Sequence, residues 1–249
     1  MNKLFVATLI AWAAVRGSAV AQLEVPGSTA GVNAALTQLF GDVGAFSAKA
    51  NIQVLGKNQK EKLTTPMDFA LLDNKLRVEV DTTQIRGPGM PAGAAASMKQ
   101  FGLERVISVM RPDKKATFII FPGIKSFVNT PMPKGEVAAY QTKPRLNKVA
   151  LGKETLDGHP CVKNRVIVSN DKGVKNESTV WNATDLKDFP IQIMTREKDD
   201  TIIIRYRLVQ FTKPEAKSFD APAGYKEYAE VEALMQGVTA KMTGGGSGK

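Results

Sequence analysis

The chain has 249 residues, a formal charge of +10, a single histidine and a single cysteine. One cysteine, Cys161, excludes an internal disulfide, so stability has to come from a packed core. The basic balance suits acidic partners or plain solubility, and with aromatics at 7% the cationic rows lack the interleaved rings of a nucleic-acid platform.

Lys3 precedes the apolar run from Leu4 to Val15, and Ala19-Val20-Ala21 supplies a small-x-small cleavage pattern. The pattern predicts a signal peptide over 1–21 and a mature chain from Gln22. Export makes nucleic acid the weaker partner. Loss of Lys3 and Arg16 takes the charge from +10 to +8. No later segment approaches the roughly 18 apolar residues of a membrane helix, so a soluble chain is expected, with one domain over 22–228.

Ser28 is placed to cap a helix whose Val32, Ala35, Leu36 and Leu39 form one stripe, ended by Gly41 and Gly44. From Phe46 the period changes to two. Phe46, Ala48, Ala50, Ile52 and Val54 alternate with Ser47, Lys49, Asn51 and Gln53, the mark of a strand wet on one side. The same alternation returns with Leu76, Val78 and Val80, and with Val162, Val166 and Val168. It recurs with a row of Ile202, Ile204, Tyr206 and Leu208 set against Arg205 and Arg207. Further strands are predicted near 63–72, 105–111, 115–121, 124–130, 148–154, 176–183 and 190–197.

Turns at Asp73-Asn74, Pro112-Asp113, Pro122-Gly123, Asp157-Gly158, Asp171-Lys172-Gly173 and Asp199-Asp200 make neighbouring strands antiparallel. About ten strands in one meander curl strongly, which favours a barrel or a half-barrel closed by helices. The run 86–101, with Met90, Met98 and Phe101, reads as a loop leading into a short helix. A second helical pattern runs from about Tyr225 to Val238, and 229–249 is expected to be the end of that helix and a disordered Gly/Ser tail.

No catalytic constellation stands out. His159 and Cys161 share a turn, but a Cys/His nucleophile needs converging side chains, and zinc needs more ligands than this pair. Gly87-Pro88-Gly89 lacks the lysine and helix of a phosphate cradle, and Glu79 with Asp81 lies on the wet row of a strand. No cofactor is expected. The cations Lys49, Arg77, Lys163, Arg165, Arg205 and Arg207 fall on outward rows, suited to solvation or to transient contact with an anionic membrane surface.

The strings RPDKKATFIIFPGIKSFVNTPMP (111–133), LGKETLDGHPCVKNRVIV (151–168), STVWNATDLKDFPIQI (178–193) and FDAPAGYKEY (219–228) resemble a family of exported bacterial domains of unknown function. That family is similar to the lipoprotein-carrier fold of LolA and LolB. The resemblance implies a mainly β (α+β) domain in the periplasm: a large curved antiparallel sheet forming an unclosed barrel, helices against its concave side, and an apolar cavity. It implies a non-enzymatic carrier or sensor of lipidated or hydrophobic ligands. The alternative is an envelope scaffold with a filled core. Leu76, Val78, Val80, Phe118, Ile120, Trp181, Ile191, Ile193, Ile202, Ile204 and Tyr206 are then the expected cavity lining, with Met98 and Phe101 as a lid.

Overall fold

In a computed structural model, residues 32–141, 145–169, 175–197 and 199–244 are described. The expected signal peptide, Ser28, the Asp171-Lys172-Gly173 turn and the Gly/Ser end lie outside them.

The sheet has twelve strands in the order β12-β6-β5-β4-β3-β2-β1-β11-β10-β9-β8-β7 and is not closed. Its first meander is β1 (Ala45–Leu55), β2 (Glu61–Leu72), β3 (Lys75–Asp81), β4 (Arg105–Arg111), β5 (Ala116–Phe121) and β6 (Ser126–Pro131). Helix α3 (Lys134–Gln141) then carries the chain to the opposite edge. There β7 (Arg145–Leu156), β8 (His159–Ser169), β9 (Lys175–Ala183), β10 (Phe189–Glu197) and β11 (Asp200–Gln210) return to pair with β1. The short β12 (Lys226–Tyr228) runs parallel to β6, and every other pairing is antiparallel.

Three helices lie against one side, here called the inner face: α1 (Val32–Gln38), α2 (Ala94–Gln100) and α4 (Val231–Gly244). The residue after α1's last turn, Leu39, and then Phe40 pack into the inner cluster of Phe46, Phe69 and Tyr206. Val231, Leu234, Met235 and Val238 recur every three or four residues along α4 and cover Val106, Ile119, Phe121 and Val128. Gly102 ends the α2 region in the left-handed conformation, and its backbone presses on Gly123 so closely that a Cβ on Gly123 would lie 2.4 Å from the Gly102 oxygen. That contact seats α2 on the β5–β6 hairpin.

The expectation of one wet outer side holds for the outer row of β1 and β3 but fails on β4–β6. There Ile107, Val109, Phe118, Ile120 and Phe127, joined by Leu72 at the end of β2, form an outer apolar cluster, sealed by Phe219, Ala221 and Tyr225 of the segment after β11. Buried Arg111 fastens this cover. Its guanidinium donates to both carboxylate oxygens of Asp113 (2.8 and 2.7 Å), to the Phe219 carbonyl (3.0 Å) and to Asp220. Lys114 also pairs with Asp220 at 2.7 Å.

A second correction concerns β11. Leu208 does not continue the row of Ile202, Ile204 and Tyr206: it has φ +51° and is 75% exposed. Between Lys49 and Ser47 of β1 the partner residue jumps from Arg207 to Gln210, so Leu208 sits in a bulge. The extra residue reverses the alternation, and Val209 and Phe211 turn to the inner cluster instead.

Two tests follow. A left-handed leucine costs about 1 kcal/mol or more, so Leu208→Asn should raise the unfolding free energy in urea titration by roughly 0.5–1 kcal/mol; a loss would show that the exposed leucine makes an unseen contact. Arg111→Met should cost about 1–3 kcal/mol and expose residues 213–225 to proteolysis before the rest. Arg111 holds the Asp113 carboxyl at about 2, and Lys114, opposed by partial burial but joined by Arg111, holds Asp220 below its ordinary value. A depressed carboxylate stabilises fully above its unfolded value and less as pH falls through the folded one. Wild-type stability should therefore drop between about pH 4 and pH 2, and the Arg111→Met protein should lack the share of that drop that Asp113 contributes.

Candidate functional site

The pairing registers lay the inner side chains out as rungs. Leu63, Val54 and Ile202 form one rung, and Thr65, Ile52, Ile204, Ile193 and Val180 the next. Val80, Met67, Ala50 and Tyr206 form a third, followed by Val78, Phe69 and Ala48, and then by Leu76, Leu71 and Phe46. Strand alternation produces these rungs, because each apolar row of β1, β2, β3, β10 and β11 points to the same side.

Coverage along the rungs is uneven. At the Phe46 end, Phe40, Phe69, Phe189 and Tyr206 close around Phe46 with ring centroids 4.7–6.4 Å apart, and all five rings are buried. At the other end Ile52, Val54 and Ile204 are only half-buried, as is Val78 on the Phe69 rung. The segment after β3 borders this region on the β2 side. Arg86 exchanges two backbone hydrogen bonds with Thr64 (2.8 and 2.9 Å), and Met90 packs on the inner cluster. Gly87 is needed at the crossing, since a Cβ there would meet the Lys62 carbonyl at 2.4 Å.

Leu76, Val78, Val80, Ile191, Ile193, Ile204 and Tyr206 are thus brought together in one inner cluster, and Ile202 is buried on the same strand row, opposite Val54. Phe118 and Ile120 are not: they face the other way, under Phe219. Their neighbours Ile119 and Phe121 take the inner side. Trp181 touches the inner cluster, yet its register opposite Lys163 and Gln192 sets it on the row of Arg205. Its indole donates to Glu154, and the Lys163 ammonium lies 4.9 Å above the ring centre. Met98 and Phe101 pack in a separate inner cluster under α4. Phe101 there lines a cleft of about 160 Å³ with Gln100, Ile124, Ser126, Tyr228 and Val238. The expectation missed Phe46 and Phe69 as companions of Tyr206, although their rows in β1 and β2 carry the signal, and it had no local sign of Phe40 or Phe189.

The outward cations are largely paired. Lys49 meets Asp68 at 2.5 Å, Arg77 and Arg105 meet Glu79, and Arg205 and Arg207 meet Asp157 at 3.5 and 2.9 Å. His159 and Cys161 do not converge as a catalytic pair: the His159 ring contacts Asp185 at 2.8 Å, and the thiol donates to the His159 backbone carbonyl at 3.3 Å. Burial raises the Cys161 thiol above its ordinary value, the wrong direction for a nucleophile. Among the described residues no group of three histidine, cysteine or acidic side chains is placed to hold a metal, and no helix is long and apolar enough to cross a membrane.

One polar atom is out of place in the inner cluster. The Tyr206 hydroxyl is buried with no hydrogen-bond partner, and burial raises its pKa. Leaving such a group unpaired costs about 1–3 kcal/mol. Tyr206→Phe should therefore leave the stability of the empty protein unchanged or raise it by about 1 kcal/mol in urea unfolding; a clear loss would mean that the hydroxyl is already satisfied.

The sequence matches no protein-family model and no curated protein. Among solved structures, similarity is found to a LolA superfamily protein from Nitrosomonas europaea, 10% identical over 74% of this chain and 93% of that one, with a TM-score of 0.39. The lipoprotein LppX of Mycobacterium tuberculosis is 13% identical over 70% of this chain and 93% of its own, with a TM-score of 0.37. MucB, in its complex with MucA from Pseudomonas aeruginosa, is 10% identical over 78% of this chain and 62% of its own, with a TM-score of 0.37. The overlays are too loose to transfer any residue's role from these proteins to this chain.

Proposed function

We propose that the protein is a periplasmic, non-enzymatic binder of hydrophobic or acylated ligands, acting as a carrier or sensor, and that the ligand lies on the inner face along Ile52, Val54, Val78, Ile202 and Ile204. The observation that carries this reading is the half-covered stretch of apolar rungs between the ring cluster and the segment after β3. An ordinary core would bury Ile52, Val54, Val78 and Ile204 fully, as it does Ile202, and here the stretch is bordered by that segment instead of a packed helix. The same reading is what the four resembling sequence strings imply.

Magnitudes decide which force holds such a ligand. An acyl chain gains about 0.8 kcal/mol per buried CH₂, whereas a basic residue near an anionic surface gains about 1 kcal/mol. With Lys49, Arg77, Arg205 and Arg207 already paired to carboxylates, apolar contact sets the affinity and membrane contact is transient. Tyr206, on the same strand row as Ile204, has a hydroxyl free to donate to a ligand carbonyl.

The close packing of the five rings favours a second reading, an envelope interaction domain with a filled core. The cleft beside Phe101, at about 160 Å³, is also smaller than the roughly 300 Å³ at which small-molecule sites begin.

The two readings part on uptake. Protein purified without detergent should retain lipid or bind added palmitate in native mass spectrometry, and Ile204→Asn should weaken palmitate uptake roughly tenfold with the circular dichroism unchanged. Neither retention nor uptake by the wild type would leave the filled-core reading.

A further inference from the structure

We infer that the free edge of β7 is a docking site for an extended, acidic segment of a partner protein, which joins the sheet as an added strand. This surface is independent of the inner face and of whatever that face binds.

The two ends of the sheet differ sharply. At one end β12 spans only Lys226–Tyr228 and packs beside α4, so that edge is short and covered. At the other, β7 runs for twelve residues, Arg145–Leu156, and among the described residues it pairs only with β8. Every residue from Arg145 to Thr155 is exposed, including Leu146, Val149 and Leu151 at 45, 42 and 54%. A strand edge carries a row of unpaired N–H and C=O groups, and proteins usually shorten it, cover it or place proline on it. Among the described residues β7 is long, uncovered and free of proline; it bulges between Ala150 and Gly152, and its exposed Lys148 and Lys153 discourage uncharged strands while leaving the edge open to an acidic one.

What the edge accepts follows from its side chains. Leu146 and Lys148 stand opposite Val168 and Val166 on the inner side, Lys153 stands opposite Val162, and Val149 lies opposite Arg165 on the other side. The strand's one acid, Glu154, already accepts from the Trp181 indole and lies 3.7 Å from the Lys163 ammonium. The edge is therefore apolar and cationic at once. A second copy is a poor occupant: two β7 strands paired antiparallel about Val149 would oppose Arg145 with Lys153 twice over, and about Leu151 they would oppose Lys148 with a Glu154 that Trp181 and Lys163 already hold. Like charges facing each other across a ladder repel and opposite charges attract. A strand with acids opposite Lys148 and Lys153 and an apolar residue opposite Val149 satisfies both requirements. Its backbone gives the affinity and the alternating side chains the selectivity.

The test uses the full chain, fluorescence anisotropy at low salt and three short labelled peptides. They are an alternating Glu/Val peptide, its Lys/Val counterpart, and the Glu/Val peptide with two central residues replaced by proline. The Glu/Val peptide should bind roughly tenfold or more tighter than either of the others, and hydrogen exchange should slow at β7 amides alone. Lys148→Glu with Lys153→Glu, both on exposed positions, should reverse the charge preference. Equal binding by the proline peptide would overturn strand addition in favour of simple charge attraction. Protection away from β7, or β7 protection that grows with protein concentration in the absence of peptide, would overturn the assignment of site or occupant.

Discussion

The ladder between β1 and β11 is the constraint on which the rest of the molecule depends. It joins a six-strand meander to a five-strand one, and it pairs segments from opposite ends of the described chain, Ser47 with Gln210 through Leu55 with Thr201. This pairing alone sets Ile52 beside Ile204 and Ala50 beside Tyr206, so that the inner rungs run unbroken from β3 to β9. It also explains why a leucine is tolerated in the left-handed region. Without the bulge at Leu208 the row would carry on in phase, and Val209 and Phe211 would face water instead of the ring cluster. Closing so long a loop carries an entropic cost before any contact offsets it, which places this ladder among the later events of folding.

Local periodicity was enough to find most strands. β4 matches its expected bounds of 105–111, and the expected β2, β9 and β10 differ from the observed ones by no more than two residues at either end. These segments alternate, or end at turns whose residues take φ above zero, such as Asp73, Asn74 and Asp157. Periodicity could not assign faces in β5. Ala116, Phe118, Ile119, Ile120 and Phe121 are all buried, because one side is covered by α4 and the other by Phe219. A strand buried twice reads as a plain apolar run, so Phe118 and Ile120 were assigned to the inner side when they belong to the outer. Helix α3 was also illegible: Lys134-Gly135-Glu136 gives a weak start, and what holds it is contact with α1. β12 is three residues long and parallel, a pairing that no local pattern announces.

The same double burial reshapes the electrostatics. A one-sided sheet would leave its cations free on the wet side, but here the outer face of β4–β6 is spent on a second core, and Arg111 is drawn into holding its cover. Lys49, Arg77, Arg205 and Arg207 of β1, β3 and β11 sit in ion pairs with Asp68, Glu79 and Asp157. Exposed pairs of this kind contribute little stability, about 0–1 kcal/mol each. Their larger effect is to shorten the reach of the positive field. The net charge of the sequence therefore overstates the pull of this surface on an anionic membrane, and the balance moves towards apolar contact on the inner face and towards the unneutralised edge at β7.

On the proposed function, entry to the inner face is decided by which boundary is easiest to open. The sheet itself is held by continuous ladders on both sides of β1 and does not part without breaking many hydrogen bonds at once. The strap over 86–101 is held differently: its tie to β2 is the pair of bonds between Arg86 and Thr64, and its remaining anchors are Met90 on one inner cluster and Met98 with Phe101 on the other. Thioether side chains repack at low cost. Displacing this segment would open the β2 side of the half-buried stretch while leaving the pairings of the twelve strands intact. Motion of the strap, and not of the sheet, is then the step that would convert a nearly filled interior into one that holds a chain.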